Sequence, residues 1–146
     1  MNTIRNKYWF TEERGSYGLA WMSLCFALAL HVMDEAKHDF LAVYNPTVLA
    51  IRQKLPFLPL PTFSFEVWMA GLVTAVILLL CLSPFAFHSA KWLRIPARIF
   101  AGLMILNGVQ HIVGSIYMGH LMPGVYSSPL LIAAGVYLLK ATTGAR

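Results

Sequence analysis

The apolar residues of this sequence lie in long runs and do not alternate with polar residues. Four runs are present, at about residues 17–33, 65–82, 97–118 and 128–139. Three of them approach the roughly 20 residues that cross a 30 Å hydrocarbon layer, which is typical of transmembrane helices. The pattern therefore predicts an all-α integral membrane protein, a four-helix transmembrane bundle in a single domain over residues 1–146.

Turn signals predict where these helices end. The first apolar run continues into a polar stretch that can extend its helix to Tyr44, with Asn45-Pro46 as the predicted stop. Ser83-Pro84 ends the second run, and Pro123-Gly124 follows the third. Residues 46–54 predict a short interfacial helix, and the proline-rich residues 56–61 predict an extended return to the membrane.

The basic residues predict the orientation of the chain. One side of the predicted bundle carries most of the lysines and arginines: Arg5, Lys7, Arg14, Lys91, Arg94, Arg98, Lys140 and Arg146. The other side carries Lys37, Arg52 and Lys54. Because cytoplasmic loops are enriched in Lys and Arg, both termini are expected to be cytoplasmic. The chain has a net charge of +5, but its basic residues flank the apolar runs and form no basic groove. This pattern argues against a nucleic-acid partner.

Ionisable residues inside a membrane are costly and mark function by default. On the first helix, the side chains of His31, Asp34, Glu35 and His38 fall within about 100° of one another. With a rise of about 1.5 Å per residue, His31 and His111 lie at matching depths, roughly 20 Å from the inner ends of their helices. Three helices are therefore expected to bring six polar residues into the outer half of the membrane: His31, Asp34, Glu35, His38, Glu66 and His111. Of these, His31, Glu35 and His111 are expected to lie deepest.

Other polar residues extend this candidate site. Glu66 enters at about the level of Glu35 on the second helix, although a carboxylate at a helix start also stabilises the macrodipole. The third helix carries a stripe at i, i+4, i+7 and i+11 spacing, and nearby glycines that would admit another helix: Asn107, His111, Gly114 and Met118, with Gly108 and Gly102. His120 is either part of the site or an ordinary loop residue.

The segment His31-Val32-Met33-Asp34-Glu35 resembles the signature of the HXXEE family of small bacterial membrane proteins. Asp34 stands where the motif has its first glutamate, and the resemblance continues through Asn107-Gly108-x-x-His111 to Pro123-Gly124. It implies a multi-pass protein of the bacterial inner membrane, but no reaction. In architecture, His31, Glu35, Glu66 and Asn107 are similar to the polar set of emopamil-binding-type sterol isomerases, which is an analogy of fold.

Three functions are compatible with these residues. In the first, the protein is an isomerase-like enzyme that acts on a lipophilic substrate by acid–base chemistry. Glu35 and His31 exchange the proton in this hypothesis, His111 and Asn107 orient the substrate, and Glu66 is a further catalytic candidate.

In the second, His31, Glu35 and His111, with His38 as a further ligand, bind a divalent metal such as zinc or iron, or His31 and His111 bind haem. The third is a non-enzymatic lipid-binding or accessory membrane subunit. Membrane lipid and a lipophilic small molecule are the expected partners, and a homo-oligomer stays open.

Overall fold

The computed structural model describes the backbone of residues 2–143 and the side chains of residues 16–143. Over these residues the chain forms helices and turns without a strand, which confirms the all-α prediction. The helices are α1 (Asn2–Lys37), α2 (Phe40–Lys54), α3 (Phe65–Cys81), α4 (Ser83–Phe87), α5 (Arg94–Met118) and α6 (Ser128–Thr143). The side chains of Arg5, Lys7 and Arg14, and the whole of Arg146, lie outside the described residues. The cytoplasmic placement of the termini therefore stays a prediction.

Three helical segments of the described chain are long and apolar enough to cross a membrane: Ser16–Lys37, Phe65–Phe87 and Lys91–Met118. They correspond to the first three predicted spans. The fourth predicted span is α6, which has 16 residues and is shorter than these. At about 1.5 Å per residue it is roughly 24 Å long, less than a typical hydrocarbon layer.

Despite its length, α6 lies at the centre of the packing, with α5 on one side and α1 on the other. One stripe of the helix is buried: Ser128, Leu131, Ala134, Gly135, Leu138 and Thr142. Glycines allow α5 and α6 to approach closely. A Cβ on Gly135 would lie 2.7 Å from Ile105 Cγ1 and 3.1 Å from the Ala101 carbonyl oxygen. Gly108 of α5 meets Ile132 in the same way, as its spacing predicted, whereas Gly102 faces open space.

The second predicted span, α3, has no fully buried residue. It rests against the core through partly buried side chains that include Met69, Leu72 and Val76. Near its C-terminal end, the Trp21 indole Nε1 of α1 donates a hydrogen bond of 3.0 Å to the Leu79 carbonyl oxygen. The helix therefore contacts the other helices along one side and leaves most of its apolar surface exposed.

The first helix ends earlier than the polar stretch after His31 predicted. It stops at Lys37, and Asp39 adopts a left-handed conformation with a φ of 55° before α2 begins. The predicted stop at Asn45-Pro46 is wrong, because Pro46 lies inside α2, which continues to Lys54. Asn45 instead anchors the extended return segment: its Nδ2 donates to the Phe63 carbonyl oxygen at 2.9 Å, and its Oδ1 accepts from the Phe63 backbone N–H at 3.1 Å.

The close approach of α5 and α6 predicts a large difference between two glycine substitutions. Gly135→Leu should destabilise the protein by about 1–3 kcal/mol, because overpacking forces the two backbones apart. Gly102→Leu is the matched control, since nothing lies within 4 Å of a Cβ at that position. Thermal unfolding in a mild detergent, followed by circular dichroism, measures both. Equal unfolding temperatures for the two variants would contradict this packing.

Candidate functional site

Two helices bring three ionisable side chains together. His31 and Glu35 are one turn apart on α1, and His111 projects from α5. The Glu35 Oε1 lies 3.5 Å from His31 Nε2 and 3.1 Å from His111 Nε2. One nitrogen or oxygen from each residue lies within 4.8 Å of the others. The structure thus places together the three residues that helical periodicity and matching depth predicted; they are called the His–Glu cluster below.

The His–Glu cluster is sealed from its surroundings. His31 and His111 have 0% exposed surface and Glu35 has 6%. Polar groups at such depth are stable only with partners that replace the water they have lost. The interactions of each ring nitrogen therefore indicate what the cluster can bind.

Both ring nitrogens of His31 have partners. Nδ1 lies 2.8 Å from the hydroxyl oxygen of Ser127, in the loop before α6. Nε2 lies 3.1 Å from the amide Nδ2 of Asn107, which is one helical turn before His111 on α5. Asn107 thus joins the cluster, as the sequence predicted, and its Oδ1 accepts a hydrogen bond of 2.8 Å from Gln110 Nε2.

His111 differs from His31 in this respect. Among the described residues, neither of its ring nitrogens has a hydrogen bond, and Nε2 has one close polar contact, with Glu35 Oε1 at 3.1 Å. The ring packs against the His31 ring in a T-shaped arrangement with centroids 4.9 Å apart, and against Phe40 with centroids 5.7 Å apart. A buried imidazole without hydrogen bonds has nitrogen lone-pair capacity that the protein itself does not use.

The loop between α5 and α6 covers the cluster through Gly124. A Cβ at this position would lie 2.9 Å from His111 Cε1 and 3.0 Å from His31 Cε1. The residue also has a φ of 87°, a left-handed conformation that L side chains rarely adopt. Glycine is therefore required twice, by the backbone and by the two rings beneath it.

Asp34 faces away from the cluster, toward Ser127 and His38. Its Oδ2 accepts hydrogen bonds from the Ser127 backbone N–H at 2.9 Å and from the Ser127 hydroxyl at 2.7 Å. Its Oδ1 lies 2.8 Å from His38 Nδ1. The side chain of His38 is 39% exposed and is not part of the compact group of three possible ligands.

Two further sequence candidates lie outside the cluster. Glu66 is exposed on the first turn of α3, where the Ser64 hydroxyl caps the helix by accepting from the Val67 N–H. His120 is exposed after the end of α5, and its Nδ1 is 3.4 Å from the Leu121 carbonyl oxygen. Both placements correspond to the structural roles that the sequence allowed for these residues.

Ser127 is the functional candidate that the sequence did not indicate. It is one of two adjacent serines before an apolar run, a pattern typical of a helix start, and nothing in its spacing connects it with α1. Only the conformation of the loop after α5 brings its hydroxyl to His31.

The geometry of the cluster distinguishes between the two cofactors that the sequence left open, a metal ion and haem. Within the described residues, the His–Glu cluster is the one group of three or more His, Cys, Asp or Glu side chains with a spacing suited to a metal ion. Haem does not fit, because the two imidazole rings contact each other and leave no space for a porphyrin between them. Two histidines and a carboxylate can hold a single ion or exchange a proton with one another.

Comparison with known proteins gives one family match, and the matched segment includes the His–Glu cluster. No curated protein and no solved structure matches the sequence. A family model described as "Protein of unknown function with HXXEE motif" matches residues 21–138. His31 and Glu35 are the first and last residues of that motif, and Asp34 replaces its first glutamate. Because the matched segment covers most of the chain and all of the His–Glu cluster, this protein belongs to the HXXEE family.

Proposed function

We propose that this chain is a membrane protein that binds one divalent transition-metal ion through His31, Glu35 and His111. The observation that carries the proposal is the His111 imidazole, which makes no hydrogen bond and is fully buried beside a carboxylate and a second histidine. An ion at this point would use the nitrogen lone pair that no described residue engages. It would also neutralise the charge of the buried Glu35 carboxylate.

The distances support an ion of this size. Ligand atoms about 2.0–2.2 Å from a tetrahedral zinc ion lie roughly 3.3–3.6 Å from one another. The Glu35 oxygen is 3.1 Å and 3.5 Å from the two imidazole nitrogens, close to that separation. Two imidazoles and one carboxylate suit zinc or iron(II). Three protein ligands leave a coordination position open, as catalytic metal sites do.

Asn107 is the natural neighbour of that open position. Its amide Nδ2 now lies 3.1 Å from His31 Nε2, where the ion would bind. An ion bound there would replace this amide contact, and the Asn107 Oδ1 would be available as a further oxygen ligand. The Gln110 side chain that holds Asn107 in its present orientation is exposed and can move with it.

The membrane assignment rests on the three long apolar helices and on their exposed surfaces. Large apolar side chains point outward from α1, α3 and α5, among them Phe26, Ile77 and Ile99. We propose a multi-pass arrangement in the bacterial plasma membrane, supported by the excess of basic residues on one side. The cluster would then lie in the outer half of the bilayer.

An acid–base enzyme with a lipophilic substrate is the second candidate, favoured by one specific observation. An apolar pocket of about 370 Å³ lies between α1 and α3, lined by residues that include Val32, Met33, Ala36 and Met69. It runs beside the motif turn that carries Glu35. In this alternative Glu35 and His31 exchange the proton and Asn107 and His111 orient the substrate. The exposed Glu66 has no role in it. The sealed cluster favours the metal, because an ion needs less space than a lipid-like substrate.

The metal proposal predicts which histidines matter. Protein purified in mild detergent without chelator should contain about one zinc or iron ion per chain, measured by inductively coupled plasma mass spectrometry. His31→Ala and His111→Ala should each lose it, because two remaining ligands hold an ion weakly. His120→Ala, at an exposed histidine outside the cluster, is the matched control and should retain it. Full metal content in His111→Ala would refute the site. Metal-free wild type would leave the acid–base enzyme and the lipid-binding subunit.

The same site predicts metal-dependent stability. An ion that binds only the folded protein at 100 times its Kd adds about 2.7 kcal/mol to the free energy of unfolding. Zn²⁺ titrated into chelator-treated wild type should therefore raise the Tm by several degrees. Glu35→Gln keeps the shape of the side chain but removes its charge, and should abolish the rise. An equal rise in both proteins would mean that Zn²⁺ binds elsewhere.

A further inference from the structure

We propose that Ser127 and Asp34 are positioning residues that fix His31 as the neutral imidazole with a proton on Nδ1 and an unprotonated Nε2. The benefit of this arrangement for an ion rests on the proposed function. The arrangement itself follows from hydrogen bonds among the residues of the chain, and it assigns roles to a serine and an aspartate outside the ligand set.

The Ser127 hydroxyl decides the proton position on one side of the ring. It has a single hydrogen and three neighbours: Asp34 Oδ2 at 2.7 Å, His31 Nδ1 at 2.8 Å and the Gly124 carbonyl oxygen at 3.2 Å. The Asp34 oxygen is a charged acceptor at the shortest distance, so the hydroxyl donates to it. The remaining contact with His31 must then be one in which the serine oxygen accepts, and Nδ1 must carry the hydrogen.

The contacts of Nε2, on the opposite side of the His31 ring, independently indicate the same tautomer. Gln110 Nε2 donates to Asn107 Oδ1, and this directs the Asn107 amide hydrogens toward His31 Nε2. Amide hydrogens can only be donated, so Nε2 must be the acceptor and carries no hydrogen. Two hydrogen-bond networks, from the loop before α6 and from α5, thus select one tautomer.

The Asp34 carboxylate is itself oriented by two further contacts. The Ser127 backbone N–H donates to the same Oδ2 at 2.9 Å, and His38 Nδ1 lies 2.8 Å from Oδ1. Metal-binding histidines commonly donate their second N–H to a carboxylate or carbonyl, which fixes the tautomer and makes the ligand more basic. Here the carboxylate of Asp34 acts on His31 through the Ser127 hydroxyl, which contacts both residues. The acidic residue beside Glu35 in the motif therefore supports the ligand His31 and does not bind the ion.

Imidazole ¹⁵N nuclear magnetic resonance of the metal-free protein tests the proposal directly. In detergent, at a pH where His31 is neutral, the long-range ¹H–¹⁵N pattern should show Nδ1–H and unprotonated Nε2 for His31. The signal is assigned by its loss in His31→Ala. Ser127→Ala should shift His31 toward the Nε2–H tautomer, and Ser127→Thr, which keeps a hydroxyl, should restore the wild-type pattern.

Ser128→Ala is the matched structural control. Ser128 is adjacent and buried, and its hydroxyl donates to the Gly124 carbonyl oxygen at 2.7 Å without contacting His31. It should leave the tautomer unchanged, so a general disturbance of the loop is distinguished from loss of the His31 contact. An Nε2–H tautomer in the wild type, or no change in Ser127→Ala, would overturn the proposal.

Zn²⁺ affinity, measured by calorimetry on the same variants, separates this proposal from the metal site. Loss of a supporting hydrogen bond of this kind typically lowers metal affinity 10–100-fold, and Ser127→Thr should recover the wild-type value. If the tautomer changes as expected while the wild type binds no metal, the positioning role stands and the metal function fails. If Zn²⁺ binds but Ser127→Ala changes neither tautomer nor affinity, the metal function stands and the positioning role fails.

Discussion

A carboxylate sealed among apolar helices has no water to solvate it, and this constraint governs the arrangement around Glu35. The two imidazoles at 3.1 Å and 3.5 Å are the polar groups nearest to its charge, and they come from different helices. Burial of an isolated charge costs far more than a typical protein stability, so the fold needs a partner close to this carboxylate. The packing of α1, α5 and α6 can be understood as the structure that keeps these groups together.

The short helix α6 has a larger part in that structure than its length suggests. It lies between α1 and α5, and glycines at the α5–α6 contact allow the backbones to approach. The loop that leads into it places Gly124 against both imidazole rings and Ser127 against His31. A helix too short to be an obvious membrane span thus closes the site. The length of an apolar helix predicts whether it can cross a bilayer. The position of the helix among its neighbours decides whether it contributes to the site.

The polar residues of the HXXEE motif have different contacts in this chain. His31 and Glu35, four residues apart, share one face of α1 and point inward. Asp34 lies 100° from Glu35 around the helix, so it reaches the loop before α6 and not the buried cluster. The two acidic positions of the motif therefore have different surroundings, one sealed and one near the exposed His38. A shorter aspartate at the first position is compatible with its three close contacts.

The sequence by itself determined the helices and much of the cluster, because both follow from regular spacing. Periods of 3.6 residues and a rise of 1.5 Å place His31 and Glu35 on one face and His111 at the same depth. Only the tertiary structure decided what joins them. Glu66 stays outside because α3 meets the bundle along one side and its first turn is exposed. Ser127 enters because a loop with a left-handed Gly124 folds over two rings, and loop conformations depend on long-range contacts that no local spacing records.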